Sequence, residues 1–360
     1  MSTKRICVIT NMYPGPLSKT FGVFVHNQVA SLRENGHQVD VVAINDPRMG
    51  KKYVIRKYLS WLLQFLFTFL FRRGKYDVIH AHYVFPSGML ARLMKKFSKA
   101  KLIVTAHGGD IDRMARKNAF IFNQTKRALQ EADGVVAVGE RLKQDIVADF
   151  RVKEDKVEVM SMGVNREVFK PVPKQQAKQD LNLDQEDFHI LYVGNIIRAK
   201  GIAELLEAYK GLSSEKVQLH LIGEVKEPAF KEELVETVER DEIKGVHFRD
   251  SVPQKQLSRW MSAADLFVLP SHMEGLGLVA LEAMACHTPV VGTDVGGLSV
   301  VLADQAGELV PPKDPEALKN GIMNVMQNEK QRKLYVENGE AVASQHDHKH
   351  LLKRLEMLYE

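Results

Sequence analysis

Twelve short runs of aliphatic and β-branched residues punctuate this chain, and they constrain its fold more than any other feature. Before a central polar stretch they read KRICVIT, HQVDVVAI, YDVIHAH, KLIVTAH, DGVVAVG and KVEVMSM. After it come FHILYVG, VQLHLIG, VHFRDSV, DLFVLPS, PVVGTDV and GELVPP. Near-continuous apolar runs are the mark of parallel strands covered on both faces. Between them lie segments with helical spacing of apolar residues, such as FVHNQVASLRENG, GIAELLEAYKGL and EALKNGIMNVM. Strands alternating with helices predict parallel sheets with helices on both sides. The polar stretch at residues 169–187 separates six runs from six. The expected class is therefore α/β, with two doubly wound Rossmann-like domains facing each other across a cleft. Residues 1–170 form the first, rejoined by a C-terminal helix at about 345–360, and residues 171–344 form the second. Ligands of such sheets bind beyond the carboxyl ends of the strands. His80, His82, His107-Gly108-Gly109, Gly194 and Gly223 all follow strand ends in this way.

Composition removes several function classes. Cys7 and Cys286 are the only cysteines, so neither a disulfide framework nor a Cys-rich metal site is available, and both read as small core residues. Fifty basic against 45 acidic residues leave a net charge of +5, too little to argue for nucleic acid. The opening MSTKRICVIT passes directly into a strand, so no signal peptide is expected. No uninterrupted run reaches the roughly 18 apolar residues of a membrane span. The segment HDHKH at 346–350 has too few neighbouring ligands for zinc and reads as part of the terminal helix.

The most informative stretch is LPSHMEGLGLVALEAMACHTPVVGTDVGG, residues 269–297. It runs strand, glycine loop, alanine-rich helix, strand. A glycine loop opening onto a helix presents free N–H groups, here those of Leu276, Gly277 and Leu278, and the helix dipole favours an anion there. Glu274 lies in the loop and Glu282 on the helix. A carboxylate repels phosphate but accepts hydrogen bonds from vicinal hydroxyls. The pattern thus predicts a diphosphate flanked by two sugars, one at Glu274 and a ribose at Glu282.

This stretch resembles the E-x7-E signature of retaining glycosyltransferases of family 4, which have the GT-B fold. The resemblance extends over nearly the whole chain, through FGVFVHNQVASLRENGHQVDVV, DVIHAHYVFPSG, TAHGGD, ADGVVAVGERLKQDI, MGVNREVFKP and LYVGNIIRAKGIAELLEAY. It implies transfer of a sugar from a nucleotide-diphosphate donor, UDP-linked by family habit, to a glycan or lipid-linked acceptor, with neither cofactor nor metal. The donor lies mostly on the second domain and the acceptor mostly on the first. His107 matches the family's histidine near the donor sugar, Lys200 its diphosphate-binding lysine, and Gly22 the glycine whose backbone approaches the phosphates. His107 and Glu274 are then the catalytic candidates. Gly22, Arg198, Lys200, Leu276, Gly277, Leu278 and Glu282 are the donor-binding ones. The chain departs from the pattern at Asn195, where an arginine is usual and Arg198 stands three residues on, at Phe21 and at Val300. The nucleobase is expected near Glu224 and Val252. The role implied is assembly of a surface or wall polysaccharide or glycolipid.

One segment stands outside that pattern. Residues 51–75, KKYVIRKYLSWLLQFLFTFLFRRGK, form an apolar helix with one polar stripe, Ser60, Gln64 and Thr68, and basic clusters at both ends. At least one face must pack into the first-domain core; the expectation for the remainder is that Trp61, Phe65 and their neighbours dip into a membrane interface while the cations meet anionic headgroups. The protein would then be cytoplasmic and peripheral at the inner face of the cell membrane. A dehydrogenase is disfavoured because no G-x-G-x-x-G follows the first strand. An epimerase or phosphorylase fits the E-x7-E loop less well than a transferase. A non-catalytic nucleotide-sugar-binding protein of the same fold is the remaining alternative, and Asn195 is the residue that favours it.

Overall fold

A computed structural model describes residues 2–212 and 216–360 of the chain. It divides into two units, Met1–Met162 with His348–Glu360, and Gly163–Asp347. In the first, β1 (Arg5–Thr10), β2 (Gln38–Ala43), β3 (Val78–His82), β4 (Lys101–Ala106), β5 (Gly134–Ala137) and β6 (Val157–Val159) form a parallel sheet ordered β2-β1-β3-β4-β5-β6. Successive residues point to opposite faces of a strand. Cys7 and Ile9 accordingly enter one core with Trp61, Phe65 and Phe150, while Ile6 and Val8 enter the other with Val25, Leu32 and Leu355. The terminal helix His348–Tyr359 covers part of the second face, and the Tyr359 hydroxyl lies 2.7 Å from His80 Nδ1.

The second unit repeats the plan. Its strands are β7 (Phe188–Val193), β8 (Val217–Ile222), β9 (Val246–Arg249), β10 (Leu266–Leu269), β11 (Val290–Thr293) and β12 (Glu308–Val310). They are parallel and ordered β12-β11-β10-β7-β8-β9. Residues 163–170 pack with this unit. Val164 and Phe169 are buried in its core, the Val164 N–H donates to the His346 carbonyl at 2.8 Å, and the Arg166 guanidinium is bidentate on Glu340.

The winding reverses beside β1 in the first sheet, with β2 on one side and β3 on the other. In the second it reverses beside β7, flanked by β8 and β10. Loops leaving two such strands diverge and leave a crevice at their carboxyl ends. That rule selects the loops after β1, β3, β7 and β10.

The helix Lys51–Arg72 corrects two expectations. Trp61, Phe65 and Thr68 are its buried residues, so the two aromatics face the domain core and not a membrane, and Trp61 Nε1 donates to the Val42 carbonyl at 3.1 Å. The segment Lys51–Lys75 is also long and apolar enough to cross a membrane by length and composition. Counting uninterrupted apolar runs misses it because Ser60, Gln64 and Thr68 break the run without breaking the helix.

Candidate active site

In the second unit the crevice is built by backbone packing that only glycine permits. After β7 the chain turns at Gly194. A Cβ on Gly223, at the end of β8, would sit 1.7 Å from the Gly194 carbonyl oxygen. The loop then runs through Arg198–Lys200 into Gly201, which has φ +67° and whose Cβ would lie 1.9 Å from the Pro270 carbonyl oxygen. Close contact at Gly201 brings the loop after β7 against the loop after β10. The His272 N–H donates to the Ala199 carbonyl at 3.1 Å, and His272 Nε2 lies 2.8 Å from Glu204 Oε1.

This contact joins Lys200 to Glu274. Lys200 Nζ donates to Glu274 Oε2 at 2.5 Å, and the Ser271 hydroxyl donates to the same oxygen at 3.1 Å. Both side chains are largely buried, 22% and 16% exposed, so the pair is far less screened than a surface ion pair. Glu274 is clamped from behind, because a Cβ on Gly296 (φ +53°) would sit 2.0 Å from the Glu274 carbonyl oxygen. Gly297 donates its N–H to the Gly275 carbonyl at 3.0 Å. Gly277, at φ +81°, caps the helix Leu278–Ala285 without any side-chain cap. Among the described residues no acceptor meets the N–H groups of Leu276, Gly277 or Leu278, so the loop holds orphan donors where the helix dipole is positive.

Glu282 lies on the same helix and is buried, 9% exposed, with no hydrogen bond described for its carboxyl. Burial alone pushes its pKa up to about 8. A carboxyl so placed is short of donors. Arg198 is not brought to this group. Its guanidinium is bidentate on Glu233 at 2.5 and 3.1 Å and lies 4.6 Å from the centre of the Phe230 ring, and its N–H donates to Glu227. Asn195 supplies no cation either; its carbonyl accepts from the buried Tyr192 hydroxyl at 3.0 Å. Lys200 is thus the cation that the structure places on Glu274. Beyond the carboxyl ends of β8 and β9 a cavity of about 170 Å³ is lined by Gly223, Val225, Phe248, Arg249 and Asp250, beside the residues expected to meet the base.

In the first unit, Gly22 starts the helix Val23–Glu34 at φ +70°, with its Cβ position 2.5 Å from the Met12 carbonyl. His107 follows β4. Its N–H donates to Asp110 Oδ1 at 3.0 Å, and the other oxygen of this buried carboxylate accepts from the Val84 N–H at 2.8 Å. The His107 ring is packed against Phe24 and Tyr83 at 5.0 and 4.6 Å between centroids, and its Nε2 is 3.2 Å from His82 Nδ1. Burial holds its pKa at about 3, so it is a neutral hydrogen-bonding group and not a fixed positive charge at neutral pH. Ser271 in the second unit, and Asp110 and Tyr83 in the first, were not singled out from the sequence. HAH at 80–82 carried a signal for His82 and LPS at 269–271 one for Ser271, but neither said what the side chain would touch.

Known families and proteins match this arrangement. The profile of Glycosyl transferases group 1 matches residues 173–342, and that of Glycosyltransferase Family 4 matches residues 21–168. A D-inositol 3-phosphate glycosyltransferase of Streptosporangium roseum is 32% identical over 272 residues, 69% of this chain and 60% of that protein. The chain belongs to glycosyltransferase family 4. TuaC of Bacillus subtilis, described as a putative teichuronic acid biosynthesis glycosyltransferase, is 29% identical over 356 residues and 88% of each chain. Among solved structures, Anabaena HepE in complex with UDP superposes with a TM-score of 0.79 over 99% of both chains at 18% identity, and HepE is also known with UDP-glucose. That likeness gives this family 4 enzyme its GT-B fold.

Proposed function

We propose that this glycosyltransferase is a retaining, metal-independent enzyme. It moves a sugar from a UDP-sugar to a glycan or lipid-linked acceptor during assembly of a surface or wall polysaccharide or glycolipid, on the cytoplasmic side of the membrane. The observation that carries the reading is the Lys200–Glu274 pair beside the orphan N–H groups of Leu276, Gly277 and Leu278. A diphosphate at those amides competes with Glu274 for Lys200, and the freed carboxylate then accepts hydroxyls of the donor sugar. Glu282 receives the two ribose hydroxyls that would satisfy its carboxyl. The UDP of HepE supports the choice of nucleotide, and the assignment of TuaC supports the polysaccharide role.

In the reaction the bond from C1 of the sugar to the diphosphate oxygen breaks, and its electron pair stays on that oxygen. The acceptor oxygen bonds to C1 on the same face, and its proton passes to the departing diphosphate. Lys200 and the amides oppose the charge that grows on the leaving group. Neutral His107 offers a hydrogen bond to the sugar, its ring packed by Phe24 and Tyr83 and bonded to His82 while Asp110 holds the backbone N–H.

Isothermal calorimetry against UDP, GDP and ADP with EDTA present tests the site. Metal-free binding of UDP, weakened in Glu282→Ala, is expected; absence of any nucleotide binding refutes the reading. Arg198 held by Glu233 and Asn195 in place of arginine favour the non-catalytic alternative. A product assay with UDP-sugars decides between the two, because binding without turnover removes the transferase claim alone.

A further inference from the structure

The helix Lys51–Arg72 meets its domain along one line and leaves the opposite half of its surface apolar and uncovered. Trp61, Phe65 and Thr68 are buried, whereas Ile55, Leu59, Leu63, Leu66, Phe67 and Leu70 are 41–68% exposed. At 3.6 residues per turn these six fall on the side of the helix away from Trp61 and Phe65. The face continues onto the neighbouring helix Met89–Lys96, because Phe97 just after it is 58% exposed and packs edge-on against Phe69 at 5.4 Å. A contiguous apolar face of this kind on a soluble domain marks an interaction surface.

Charge decides what covers it. Residues 51–75 contain seven lysines and arginines and no aspartate or glutamate. Four lie in the first seven positions and three in the last four, so both ends of the apolar face are basic. Lys51, Lys52 and Lys75 are exposed with no ion pair described. A second copy of this helix packed on the face would set basic end against basic end in either direction. A membrane-spanning orientation would strip Trp61 and Phe65 from the core and break the Trp61–Val42 hydrogen bond. A helix lying in the plane of an anionic bilayer meets neither obstacle. It sinks only its outward half, and both clusters reach headgroups together.

We infer that this face docks on an anionic lipid surface, with the helix parallel to the membrane, the Leu63–Phe67 side among the upper acyl chains and the terminal lysines at the phosphates. The inference does not rest on the transferase reading. The test is co-sedimentation of the full chain with vesicles of phosphatidylcholine, alone or mixed with phosphatidylglycerol, at low and high salt. Binding to the mixed vesicles, weakened by salt, is expected. Leu63→Gln with Phe67→Gln should lower partitioning about 30-fold, since each removes a half-exposed large apolar group. Lys51→Gln, Lys52→Gln and Lys75→Gln together should lower it tenfold or more on anionic vesicles and little on neutral ones. These lysines make no described contact, so this variant keeps the test valid should the first one fail to fold. Three outcomes overturn the inference. One is no binding, or equal binding to neutral vesicles. Another is a dimer in sedimentation equilibrium that Leu63→Gln with Phe67→Gln dissolves. The third is vesicle association that survives alkaline extraction, as a spanning helix would.

Discussion

Replacing Glu282 with glutamine should stabilise the protein while weakening its hold on nucleotide, and both effects follow from one buried carboxyl. Its pKa stands at about 8 against an ordinary 4.5, because burial disfavours the charge and no donor is described for it. A carboxyl that binds its proton more tightly folded than unfolded adds stability at low pH. That stability is present in full below 4.5 and is lost as the pH rises through about 8. At 1.36 kcal/mol per pH unit the interval amounts to about 5 kcal/mol, of which about 4 kcal/mol falls between pH 5 and 9. Glutamine has nearly the same shape and does not titrate, so its own burial cost is the same at every pH. For a domain the size of residues 163–347, each kcal/mol moves Tm by about 2–4 °C. Melting of wild type and Glu282→Gln across pH 5 to 9 should therefore show the variant gaining roughly 10 °C relative to wild type between the two ends. Binding moves the opposite way. At pH 7 the wild-type carboxyl is about nine-tenths protonated and must ionise to accept ribose hydroxyls. UDP binding then releases nearly one proton, seen as a dependence of calorimetric heat on buffer ionisation, and affinity rises with pH up to about 8. The variant loses both the proton release and most of the affinity. Parallel melting curves at all pH values would show that the carboxyl is not desolvated, and unchanged UDP affinity would remove it from the ribose site.

Two further perturbations probe the neighbouring contacts. Lys200→Met should weaken UDP at least tenfold and UMP much less, read by calorimetry, while Glu274→Gln should tighten free UDP a few-fold because the lysine is no longer held by a carboxylate. Equal losses for UDP and UMP would place Lys200 away from the diphosphate. Gly201→Ala should cost about 3 kcal/mol or more and depress UDP binding, since a Cβ there meets the Pro270 carbonyl oxygen at 1.9 Å. Gly36→Ala, at φ +89° with nothing within 4 Å, is the control, with only the left-handed strain of about 1 kcal/mol.

Whatever depends on short-range periodicity and backbone freedom was legible in the amino-acid order. Unbroken β-branched runs alternating with helical spacing dictate parallel sheets covered on both faces, six strands in each half. Glycines at 275, 277, 296 and 297 around one short helix mark an anion loop, and Glu274 and Glu282 are readable within the same stretch. The tertiary structure alone decided what depends on which distant segments become neighbours. Lys200 and Glu274 are 74 residues apart and meet only because β7 and β10 are adjacent in the sheet. Arg198 looked free to bind phosphate until the fold set it against Glu233, 35 positions away. Glu282 carries no sequence sign of its raised pKa, since desolvation is a property of everything packed around a group. The helix Lys51–Arg72 shows the limit most plainly. Its residues are apolar on nearly every side, so periodicity could not say which face turns inward. Packing chose Trp61 and Phe65, with the indole N–H held by Val42, and left Leu63 and Phe67 outside.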